Sequence, residues 1–73
     1  MKNPYLRQEG GSHYKDMKIQ PAHFCHANGL GGLEFAAIKY ICRWKNKNGI
    51  EDLKKAIHTL QILIYEEENK EAK

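Results

Sequence analysis

Seventy-three residues make one domain at most, and a chain this short buries only about 60% of the surface it exposes when unfolded. Two cysteines are too few for a disulfide scaffold and lack the CxxC spacing of a zinc site, which leaves self-association as the expected support for a marginal core. The net charge of +3 is too weak to announce a nucleic-acid binder, and the longest apolar run, "LQILIY", is too short to span a bilayer.

Residues 1–12 read as a flexible arm, because Pro4 and Gly10-Gly11-Ser12 break any periodicity. "HYKDMKIQP" alternates loosely and ends at proline, so it reads as extended or irregular. Pro21 suits the first position of a short helix, "PAHFCHAN", where its missing N–H costs nothing; Asn28-Gly29 supplies a left-handed stop. After a "GLGG" hinge, a second helix is expected over Leu33–Lys45. Leu33, Ala37, Tyr40, Ile41 and Trp44 would lie on one face, and Phe35, Ile38 and Cys42 on another.

The "NKNG" link should end that helix, with Asn48 and Glu51 at N-cap and N3 spacing for the next. The third helix is expected over Ile50–Glu67, where Leu53, Ala56, Ile57, Leu60, Leu63 and Ile64 form one buried stripe. On that reading Leu60→Ala costs about 2–5 kcal/mol. A short link between long helices favours an antiparallel hairpin. The expected fold is therefore small and all-α: a helical domain over 13–67, a frayed acidic tail over 68–73, and assembly as a homo-oligomer.

Charge is unevenly spread. Residues 39–55 carry Lys39, Arg43, Lys45, Lys47, Lys54 and Lys55 against Glu51 and Asp52, six minus two, or +4. Lys39, Arg43 and Lys47 recur every fourth residue and would share a helix face, beside Tyr40, Ile41 and Trp44. Unpaired buried cations cost several kcal/mol each, so they must reach water, a carboxylate or a ligand anion. Arg43 can grip a phosphate through two hydrogen bonds, and Tyr40 and Trp44 offer flat surfaces for a base. The competing reading has the aromatics filling the core while the cations snorkel past them.

His23 and His26 have i, i+3 spacing but no acid or cysteine at ligand distance, so no metal site is expected. His58 reads as structural or surface, whereas His13 and Tyr14 lie outside the helices, where ligand-binding groups often reside. No GxxxxGK[ST] phosphate loop is present, and "GLGG" is only a weak anion seat. Glu51 is expected to cap the third helix and Asp52 to complement its dipole; Glu34 is a remote option as a base or magnesium ligand.

The order of motifs is distinctive: His-Tyr at 13–14, a Pro-led helix, Lys-Tyr-x-x-Arg at 39–43, then Lys-x-Gly-x-x-Asp-Leu-x-Lys-Ala at 47–56. From His13 to Tyr65 the chain resembles the SaV-like family of small bacteriophage proteins, long of unknown function. The resemblance implies a phage protein in the host bacterial cytoplasm. One longer member is described as a nucleotide kinase acting on deoxynucleoside monophosphates without a standard phosphate loop. Carried over, the pattern points to His13, Tyr14, Lys39, Tyr40, Arg43, Lys47, Gly49, Asp52, Leu53 and Lys55.

Together these readings favour a nucleotide or other phosphorylated small molecule as ligand, held by His13, Tyr14, Lys39, Tyr40, Arg43, Trp44 and Lys47. A kinase-like version would need Mg2+ to offset the charge of two nucleotides. The alternatives are a non-catalytic sponge sequestering a host nucleotide signal, and a module that binds a host protein. Membrane partners are not expected, and nucleic acid is weakly supported.

Overall fold

The computed structural model describes residues 3–6, 14 and 16–70. Among them there are three α-helices and no strand: α1 (Pro21–Ala27), α2 (Gly32–Arg43) and α3 (Ile50–Asn69). Short 3₁₀ turns lie at Pro4–Leu6 and Trp44–Asn46. α2 packs mainly on α3, and α1 packs on α2.

α1 forms as its sequence dictates. Pro21 opens it, and Asn28 ends it twice over, donating its backbone N–H at 3.1 Å and its side-chain Nδ2 at 2.8 Å to the Phe24 carbonyl. Gly29 then turns the chain at φ +70°, a conformation that suits glycine. The N-cap of α2 is Gly31, whose N–H donates to Glu34 Oε1 at 3.0 Å. Glu34 therefore serves as a helix cap. Within the first twelve residues, where an arm was expected, Pro4–Leu6 forms its turn against α1. The Tyr5 ring meets His23 edge-on at 5.7 Å, and Gln20 Nε2 donates to the Tyr5 carbonyl.

Among the described residues the buried apolar side chains are small: Pro21 and Cys25 on α1, Ala37 on α2 and Ala56 on α3. Small residues at a helix contact permit close interaxial approach. The buried face of α3 is Asp52, Ala56 and Thr59, at i, i+4 and i+7. Thr59 satisfies its hydroxyl by donating to the Lys55 carbonyl at 2.9 Å.

That face corrects the single stripe expected on α3. Ala56 is buried and Leu53 and Leu63 are half-buried, but Ile57, Leu60 and Ile64 are exposed. At 100° per residue these three lie roughly a third of a turn from the Asp52–Ala56–Thr59 face. Apolar periodicity alone merged two faces, because the true inner one contains two polar residues. Leu60, 44% exposed, cannot leave the cavity that the larger destabilisation presumed.

Candidate functional site

The site is organised from the start of α3. Its N-cap is Gly49, with φ +58° and ψ −136°, and its first three residues are Ile50, Glu51 and Asp52. The cap thus falls one residue later than the Asn48–Glu51 spacing predicts. This shift makes Asp52, rather than Glu51, the acid at the third helical position. From there a carboxylate can reach back to the chain entering the helix. Asp52 does so: Asn48 donates its backbone N–H to Oδ2 at 3.4 Å and its Nδ2 to Oδ1 at 3.3 Å. Glu51 points outward and is exposed.

The other partner of Asp52 is Arg43, the last residue of α2. Arg43 Nε donates to Oδ2 at 3.2 Å and Nη2 to Oδ1 at 3.3 Å, so one edge of the planar guanidinium meets both carboxylate oxygens. The Asp52 side chain is fully buried, whereas that of Arg43 keeps 15% exposure. Burial pushes the Asp52 carboxyl upward, but hydrogen bonds from Arg43 and from the side chain and backbone of Asn48 outweigh it, leaving a lowered pKa. The Arg43 guanidinium is raised, first by its hydrogen bond to Asp52; burial opposes this, and the half-buried Tyr14 adds to the rise.

Tyr40 lies under this pair. Arg43 Cζ stands 4.9 Å from its ring centroid, and Lys55 Nζ, from α3, stands 5.9 Å from the same centroid. One turn earlier on α2, Lys39 Nζ lies 5.3 Å from the Phe35 centroid. Three cations (Lys39, Arg43, Lys55) less one carboxylate (Asp52) leave a formal +2 on this part of the surface. Cations held against aromatic faces are attracted by the ring quadrupole. That contact leaves the ammonium groups no carboxylate partner among the described residues.

The structure brings together Tyr14, Tyr40 and Arg43 from the predicted set, with Lys39 one turn away. Lys47 does not join them: α2 ends at Arg43, and Lys47 lies exposed in the link. The file of cations on α2 therefore stops at two. Trp44 is half-buried in the 3₁₀ turn, with Lys45 Nζ 5.7 Å from its ring centroid, and shares no described contact with Tyr40. His13 falls outside the described residues. Arg43 is not an uncommitted phosphate clamp, because Asp52 occupies one edge of its fork. Sequence reasoning left Lys55 out of the ligand set. The available signals were the family pattern, which includes Lys55, and its place three residues after Asp52, on the adjoining face of the helix.

Elsewhere, Cys25 is buried and Cys42 half-buried, both as free thiols. Burial, and then the neighbouring Cys25, push the Cys42 thiol upward. Among the described residues no three His, Cys, Asp or Glu side chains gather as a metal site, and no helix is long and apolar enough to cross a membrane.

Helical packing around a buried ion pair defines this as a small all-α protein with a basic, aromatic-lined surface. Its family profile is DUF3310, described as a protein of unknown function, which matches residues 4–61. The chain belongs to that family. No curated protein and no solved structure matches it.

Proposed function

We propose that the chain is a phage protein of the host bacterial cytoplasm that binds the phosphate of a nucleotide at the Tyr40 cluster. In this reading α2 and α3 form an antiparallel hairpin within a homo-oligomer. The observation that carries it is the convergence of two cations from two helices on one aromatic ring, Arg43 and Lys55 on Tyr40. Lys55 and Lys39 supply the charge that meets the phosphate. Arg43 is fixed by Asp52 and offers only the edge of its guanidinium that Asp52 does not take. Tyr14 closes the cluster from the segment before α1, and the flat face of Tyr40 supports the base.

Binding without turnover is favoured over a nucleotide kinase. Phosphoryl transfer needs a group to orient or deprotonate the nucleophile and carboxylates to hold Mg2+. Asp52 is buried under Arg43 and Asn48, and Glu34 caps α2. Of the acids on α2 and in the first turn of α3, that leaves only the exposed Glu51, so a sponge for a nucleotide signal fits better than an enzyme does.

Native mass spectrometry with a panel of nucleotides tests the reading. A retained nucleotide, recovered unchanged after denaturation, is the expected result. Failure to retain any phosphorylated ligand contradicts it. Phosphate transfer from ATP to a deoxynucleoside monophosphate in the presence of Mg2+ would restore the kinase.

A further inference from the structure

The outer face of α3 has a pattern that the monomer leaves unused. Ile50, Leu53, Ile57, Leu60 and Ile64 recur at steps of three and four residues, so they occupy the a and d positions of consecutive heptads. Leu53 is half-buried, while Ile50, Ile57, Leu60 and Ile64 are exposed by 61%, 56%, 44% and 57%. α3 is also too long for its partner. Its 20 residues span about 30 Å, whereas the 12 of α2 span about 18 Å.

We propose that a second copy of this chain covers this seam, α3 against α3, in antiparallel orientation about a two-fold axis near residues 58 and 59. Charge decides both the occupant and its direction. The chain around the start of α3 is basic, with Lys45, Lys47 and Lys54 against the exposed Glu51, and its last turns are acidic, with Glu66, Glu67 and Glu68 against Lys70. An antiparallel copy sets each basic end beside an acidic end and opposes the helix dipoles. A parallel copy would stack like charges at both ends. One self-complementary patch closes under a two-fold axis and leaves no open face for further growth.

In the matching register, Ile57 meets Leu60 and Leu53 meets Ile64 of the second copy. The seam gives the homo-oligomer of the previous reading a definite surface, and it stands whether or not a nucleotide binds.

The test is the solution mass of the full chain by light scattering, without nucleotide. The expected mass is twice the 8.5 kDa protomer, reduced to one protomer in both Ile57→Lys and Ile64→Lys with helical circular dichroism retained. Ile64 is itself exposed and lies about two turns further along α3, so it reports on the seam even where the first unfolds the chain. A monomeric parent protein, or dimers that survive both substitutions, would overturn the proposal. Orientation is read by oxidising a mixture of Leu53→Cys and Ile64→Cys proteins and mapping the cross-linked peptides. Linkage between the two positions is expected, and linkage of Ile64→Cys to itself would overturn the antiparallel pairing.

Discussion

Arg43 and Asp52 tie the end of α2 to the start of α3 through two hydrogen bonds. Truncating one partner of a buried pair strands the other charge, whereas replacing both with apolar groups of similar size is often tolerated. Arg43→Ala should therefore lower the melting temperature strongly, and Arg43→Met combined with Asp52→Leu should recover most of the loss. Thermal unfolding followed by circular dichroism checks this; a harmless Arg43→Ala would mean that the pair bears no structural weight.

Acid has a defined effect at the same position. The Asp52 carboxyl is lowered in the folded state, so its stabilisation is present above the unfolded value of about 3.9. It is lost as pH falls below that value and through the folded one. Acid titration of the parent protein should show a loss of stability below about pH 4 that is smaller in Asp52→Asn. The Cys42 thiol, raised by burial, should react with iodoacetamide at neutral pH more slowly than a free thiol does.

Among the elements, most of the chain was legible. Pro21, Asn28 and Gly29 marked α1 at both ends, and apolar spacing found α2 and α3. The start of α3 at Ile50 was read correctly, but its N-cap was placed one residue early, because the Asn-x-x-Glu spacing of Asn48 and Glu51 resembles a cap while Gly49 carries the turn. That single residue decided which acid becomes structural, and hence whether Arg43 has a partner. Asp52 and Thr59, being polar, were also invisible to a search for apolar faces, so the two sides of α3 were read as one. Gly49 sits at a positive φ with an extended ψ that side chains disfavour. Gly49→Ala should destabilise the protein by about 1–3 kcal/mol, measured by urea denaturation. A neutral substitution would show that the link can relax without it.

At the scale of the molecule, a weak net charge conceals a local concentration of cations on the α2–α3 side. Of Lys39, Arg43 and Lys55, Arg43 alone pairs with a carboxylate among the described residues. Cation spacing on a single helix suggested an anionic partner; in the structure the cations beside Tyr40 come from α2 and α3, Arg43 and Lys55, while Lys47 lies in the link. Isothermal titration of a deoxynucleoside monophosphate into the parent protein and into Lys55→Gln, with the phosphate-free nucleoside as control, tests this account most directly. We predict binding that requires the phosphate and weakens at least about tenfold, or 1.4 kcal/mol, in Lys55→Gln while its circular dichroism is unchanged. Equal affinity for nucleoside and nucleotide, undiminished binding by the variant, or no heat at all would contradict it.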